Sequence, residues 1–271
     1  MKLLNLFKNA EGISGLQDKS YRDLPAVSQT AVKHLINSPA HYKAYQEEPQ
    51  EETDAMRLGT ATHLAVFQPS LFNEQVVMSP KFDRRKTEDK IAAAKFQEAN
   101  VGKILLTQDD YDRCLGMAEA VRGNPTFIEL TKCGEPEYSV TAETAIEGIK
   151  VKGRMDWIDF KNRTILDLKS IGELASFRNI NKTIHKRGYD IQNAMYNQLL
   201  TALIADSDFR FVFIFSESNK PHGVRFVEIN KSSLWFETMP RLSQAFASLK
   251  QAHDSGNYHN YSNKISVIDI G

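Results

Sequence analysis

Between Gly153 and Ser170 the chain reads GRMDWIDFKNRTILDLKS. Two short apolar runs flank the polar turn Lys161-Asn162, and Trp157, Ile158, Phe160, Ile165, Leu166 and Leu168 supply the side chains that strands favour. Asp156, Asp167 and Lys169 stand among them, where charge is expensive to bury. No other stretch constrains the fold as much. It reads as a buried hairpin that carries two carboxylates and an ammonium.

Pairing the runs about Lys161-Asn162 places Asp156 directly opposite Asp167, with Cβ atoms about 4.5–5.5 Å apart. Lys169 shares the face of Asp167, and Arg154 sits across from it. Like charges directly opposite destabilise a hairpin, so the arrangement makes sense chiefly if a cation lies between them. Two converging carboxylates suit Mg²⁺, which takes oxygen ligands at about 2.1 Å and keeps several waters. A nearby ammonium can then orient a water or stabilise charge on a phosphate. The residues alone leave a second reading open, a solvated sheet face with a cross-strand ion pair, and a slip of one residue would separate the carboxylates.

The whole chain has 271 residues, 41% hydrophobic, with 34 Lys+Arg against 34 Asp+Glu, so any basic surface must be local. Two cysteines, Cys114 and Cys133, provide neither a disulfide framework nor a CxxC zinc spacing. The opening MKLLNLFKNAEG does not read as a signal peptide, and no apolar run approaches the roughly 20 residues of a membrane span. The expectation is a cytoplasmic protein.

Residues 1–25 read as an extended lead-in, 26–132 as mainly helical, and 133–271 as a sheet core with a closing helix, all in a single domain. Ser28 caps a helix that Ser38-Pro39 interrupts, Ala55 to Phe67 carries an apolar stripe, and Thr107 opens a helix to Arg122. Residues 79–103 are polar and read as the most loop-like region. Strands are expected over Glu137–Glu143, Ile149–Phe160, Arg163–Lys169, Phe209–Ser216 and Val224–Ile229, with helices at 173–187, Tyr189–Ala205 and Ser232–His253. The fold class is therefore α+β, or mixed α/β, with a central mixed sheet flanked by helices.

Five segments, in order, resemble the PD-(D/E)XK nuclease superfamily and within it the RecE-like (exonuclease VIII) and lambda-exonuclease-type phage recombination exonucleases. They are LPAVSQTAVKHLINSPAHYKAY, RLGTATHLAVFQP, GEPEYSV, the pair GRMDWID and ILDLKS, and YDIQNAMYNQLL. The proline of the first acidic motif is replaced by Met155, whereas Asp167-Leu168-Lys169 is complete. The resemblance implies Asp156 and Asp167 as metal ligands, joined by the main-chain carbonyl of Leu168 and by His63. It implies Lys169 as the catalytic lysine and Glu137, with Glu135 as the alternative, as the upstream acid. Mg²⁺ is the implied cofactor, with Mn²⁺ able to substitute.

Gln192 and Tyr196 are four apart on one helical face; the residues alone read as a polar helix edge packed on the sheet, whereas the resemblance implies contact with the DNA backbone beside the site. Arg154 and the basic run Lys81, Arg84, Arg85, Lys86 are further candidates for phosphate contact. The implied activity is digestion of duplex DNA from 5′ ends, leaving 3′ single strands for a single-strand annealing recombinase. The implied assembly is a homo-oligomeric ring, trimer or tetramer, around DNA. A sequence-specific endonuclease and a non-catalytic DNA-end-binding factor are the alternatives. Iron–sulfur relatives are excluded, since two cysteines cannot supply four ligands.

Overall fold

The computed structural model describes residues 5–48, 52–83, 85–145, 148–205 and 208–261. The first half runs β1 (Phe7–Ile13), α1 (Asp18–Asp23), β2 (Val27–Ser28), α2 (Gln29–Asn37), α3 (Pro39–Glu47), α4 (Asp54–Phe67), α5 (Pro69–Gln75), β3 (Val76–Met78), α6 (Thr87–Ala99), β4 (Ile104–Leu106), α7 (Gln108–Arg122) and α8 (Pro125–Leu130). Then come β5 (Glu135–Thr144), β6 (Lys150–Asp159), β7 (Thr164–Ile171), α9 (Phe177–Arg187), α10 (Tyr189–Leu203), β8 (Arg210–Glu217) and β9 (Val224–Val227). A short α11 (Lys231–Ser233), a π turn and α12 (Met239–Ser255) close the chain. The expected caps form: Ser28 accepts from the Ala31 amide and Thr107 from that of Asp110.

One seven-stranded sheet orders its strands β1-β5-β6-β7-β8-β9, with β2 added to β6. β7 and β8 are parallel, while β6 and β7 form the expected antiparallel hairpin, Trp157 opposite Leu166 and Ile158 opposite Ile165. Apolar layers cover both faces. Ile165, Phe213 and Phe215 pack against Leu35, Met195, Leu199 and Leu249 from α2, α10 and α12. Leu166, Leu168, Val212 and Ile214 pack on the other face against Leu58, Ala61, Ala65 and Met117 from α4 and α7. A strand buried on both faces has no reason to alternate, hence the unbroken apolar run of β8. The fold is a mixed α+β architecture with a central mixed sheet flanked by helices.

Two expectations fail. The lead-in contains β1, which pairs with β5, and α1. Most of β1 is exposed and carries Lys8, Asn9 and Glu11, so the edge strand lacks an alternating apolar signature. Residues 87–99, expected as loop, form α6, which buries no residue. It consists largely of Ala, Lys, Glu and Gln, with Glu88 and Asp89 at its positive end, so propensity rather than an apolar stripe makes the helix.

Two packing details shape the ground near the hairpin. An added Cβ at Gly153 would lie 2.6 Å from Leu199 Cδ1, so this glycine allows α10 to rest directly on β6. Beside it, the Lys152 ammonium donates to the carbonyls of Tyr21 (2.8 Å), Arg22 (2.9 Å) and Leu24 (2.8 Å). That anchors the end of α1 and leads the chain into β2, which pairs with Val151 and Lys152.

Candidate active site

The pairing of β6 with β7 ends at Trp157–Leu166, and further up β6 it is β2 that pairs, at Val151 and Lys152. Asp156 stands where the two strands part. Its Oδ2 accepts the Leu168 amide at 2.7 Å and lies 2.8 Å from His63 Nε2. The expected direct Asp156–Asp167 rung is therefore not formed. Two opposed carboxylates repel, whereas a backbone donor and an imidazole satisfy the charge. The N–H and C=O of one strand residue point to the same side, so the Leu168 carbonyl opens toward this fork as well.

α4 supplies His63. Its Nδ1 bonds the Gly59 carbonyl at 2.7 Å, which fixes the ring with Nε2 toward Asp156. Burial opposes the imidazolium, but the charge and hydrogen bond of Asp156 outweigh it and raise the His63 pKa to about 9. Asp156 shifts the opposite way. Burial disfavours its carboxylate, yet His63, Lys169 and the Leu168 amide together hold it below its ordinary value.

Asp167 faces the α10 layer, its side chain 1% exposed. Gln192 Nε2 donates to Oδ2, and the Lys169 ammonium pairs with Oδ1. Burial, and then the nearby Asp156 charge, raise the Asp167 pKa to about 6 against the pull of Lys169. Burial works against the Lys169 ammonium too, but Asp167 and Asp156 overcome it and keep the amine charged. Tyr189, the first residue of α10, places its ring 4.7 Å from Lys169 Nζ and 5.4 Å from Lys33 Nζ. Neither Tyr189 nor Lys33 was singled out from the sequence. Tyr189 lies three residues before Gln192 on one helical face, a spacing that could have marked it, while Lys33 had no such signal.

Glu137 rather than Glu135 is the acid beside Asp156. Burial and the Asp156 charge raise its pKa to about 7, despite Arg154. Its φ of 55° is left-handed, which interrupts β5 between the paired rungs Pro136–Trp157 and Tyr138–Met155. Glu135 instead meets Ser14. Arg154 does not sit across from Lys169 as expected. Its guanidinium contacts Glu137 at 2.7 Å and Asp18 at 2.6 Å and lies over the Tyr21 ring, because two acids attract it where the lysine would repel it.

Gln192 and Tyr196 share a helical face but are 3% and 4% exposed, so in this structure they cannot touch a DNA backbone. α10 packs face-down on the sheet, and Gln192 serves as donor to Asp167. Lys81, Arg85 and Lys86 are exposed, and Arg85 bonds Asp83 at 3.1 Å. Arg84 lies outside the described residues. Among those described, no hydrogen bond or ion pair joins this run to the fork.

Among the described residues no three His, Cys, Asp or Glu side chains are already arranged to hold a metal ion. Their oxygens and nitrogens are engaged in the His63–Asp156 and Asp167–Lys169 pairs. The donor set nevertheless fits a hard divalent cation. Asp156, Asp167 and Glu137 bring three carboxylates together, and burial, then the Asp156 charge, raises the pKa values of Glu137 and Asp167.

A provisionally named exonuclease from Eubacterium rectale aligns with a TM-score of 0.64 at 13% identity, over 94% of this chain and 96% of that one. At this identity the likeness speaks for the fold alone. A phage-related exonuclease from Haemophilus somnus 129PT aligns at 14% identity over 86% of this chain and 96% of that one, with a TM-score of 0.37. No curated protein matches the sequence. The family described as the PDDEXK-like domain of unknown function (DUF3799) matches residues 28–269, nearly the whole chain, and includes both strands of the fork. The chain belongs to this PDDEXK-like family.

Proposed function

We propose that this chain is a metal-dependent exodeoxyribonuclease that digests duplex DNA from 5′ ends and leaves 3′ single strands for a recombinase to anneal. One observation carries the reading. In a PDDEXK-like fold, Asp156, Asp167 and Lys169 converge where β6 and β7 part, with His63 and Glu137 beside them. Asp156, Asp167 and the Leu168 carbonyl would hold Mg²⁺ or Mn²⁺. His63 would join them through Nε2 once that nitrogen is free of its proton. When bound, the ion supplies Lewis-acid polarisation of the phosphodiester and lowers the pKa of water.

The remaining work belongs to the chain. Lys169, kept charged and oriented by Asp167 and the Tyr189 ring, presents its ammonium to the attacking water or to the negative charge that grows on the phosphate. Gln192 holds Asp167 Oδ2, and Oδ1 faces the Lys169 ammonium. Glu137 adds negative charge beside Asp156.

Time-resolved digestion of duplexes labelled at the 5′ or the 3′ terminus tests the activity and its direction. Early release of 5′ label, dependent on Mg²⁺ or Mn²⁺ and stopped by EDTA, is expected. Cleavage within covalently closed circles, or release of 3′ label first, would overturn it.

The proposal extends to a closed ring of three or four copies around DNA. The formal net charge of zero supports this part, since topological retention can replace electrostatic grip. Native mass measurement at micromolar concentration should give a trimer or tetramer. A monomer that still degrades long duplexes without dissociating would remove the ring.

A further inference from the structure

The segment that leaves β7 two residues after Lys169 is tightly pinned, yet it presents apolar side chains to solvent. Leu174 is 69% and Phe177 70% exposed. Between them the Ala175 amide donates to Glu217 Oε1 at 2.6 Å, and the Ala175 carbonyl accepts from Arg225 Nε at 2.6 Å. Asn179 donates to the Leu174 carbonyl at 3.0 Å, and Ser176 caps α9 by accepting the Asn179 amide. The exposure therefore belongs to a held loop with a buried Ala175 beneath it.

Register links this loop to the candidate site. Lys169 pairs with Phe215 on β8, and Phe215 pairs with Arg225 on β9. In-register neighbours share a sheet face, so Arg225 rises on the face of Lys169, two strands away, at about 10 Å. Its guanidinium carbon lies 4.3 Å from the centroid of the Phe177 ring. A cation stacked on an exposed aromatic ring, with an exposed leucine three residues earlier in the same segment, offers π-surface for a nucleobase and charge for its phosphate. A distance of about 10 Å is on the order of three stacked nucleotides at 3.4 Å each.

We infer that Leu174, Phe177 and Arg225 form a stacking platform for unpaired nucleotides of the strand that runs through the site. This inference rests on the nuclease reading above and adds a contact for single-stranded bases. Such stacking is sequence-tolerant, because every base has a π-face.

The test is binding of a single-stranded oligonucleotide carrying 2-aminopurine to an Asp167→Asn protein in Mg²⁺, with and without Phe177→Ala. Stacking is worth about 1–3 kcal/mol per base, so Phe177→Ala should weaken binding by about tenfold and relieve 2-aminopurine quenching. Phe236→Ala, at a side chain 77% exposed elsewhere, should change neither. In the active protein, Phe177→Ala should raise KM for duplex ends while kcat stays within about twofold. Leu174→Ser, made separately, reads the same platform should Phe177→Ala fail to fold.

If both variants bind single strands like the parent while the active protein cleaves DNA, the platform is wrong and the nuclease reading stands. If the unaltered protein neither binds nor cleaves DNA, both fall. If Phe177→Ala instead lowers the mass of the assembly in solution, the patch is a contact between copies and the platform is overturned.

Discussion

Asp167→Asn and Asp156→Ala are each expected to lower the single-turnover cleavage rate by roughly a thousandfold or more, about 4 kcal/mol of transition-state stabilisation. Asp167→Asn is the cleaner change. It keeps the shape of a fully buried side chain and an oxygen for Gln192, but removes the charge a divalent cation would need. Asp156→Ala costs more structurally, since the Leu168 amide and His63 both lose their acceptor. Circular dichroism and thermal melting of the metal-free variants separate loss of chemistry from loss of fold. Near-normal turnover with ordinary metal dependence in either variant would show that these are not the metal-binding carboxylates.

Lys169→Ala is expected to leave divalent-metal affinity within a few-fold while cleavage falls by at least about a hundredfold. The ammonium is assigned to the water or the phosphate, so its removal should act on kcat. Lys169→Arg should recover only part of the loss. The site holds a compact charge between a carboxylate and the Tyr189 ring, and a planar guanidinium fork does not match that space. Isothermal titration with Ca²⁺ beside single-turnover kinetics gives both quantities. If metal binding disappears in Lys169→Ala and cleavage slows only in proportion, the lysine is a structural counter-ion of Asp167.

Much of the site's neighbourhood was readable because it is local. The turn at Lys161-Asn162 sets the pairing of Trp157 with Leu166 and Ile158 with Ile165, as side-chain alternation requires. Ser28 and Thr107 announce their helices for a similar reason, since a capping hydrogen bond reaches only three residues ahead. α6 escaped because it has no buried face, and apolar periodicity exists only where a helix packs. β1 escaped because its partner β5 lies more than a hundred residues away, so nothing nearby records the pairing.

From the sequence alone came the strand pair, its register, and the presence of Asp156, Asp167 and Lys169 within it. Which way each charge turns was settled only in three dimensions. Asp156 leaves the ladder for the Leu168 amide and the His63 imidazole of α4, while Asp167 is held by Gln192 from α10 on the opposite layer. Arg154 goes to Asp18 and Glu137, and Glu137, at a left-handed φ on β5, lies within reach of the Asp156 charge. A buried charge takes the partner that best offsets its lost hydration, and those partners come from segments far apart in the chain. Their encounter is a property of packing, which no local pattern encodes.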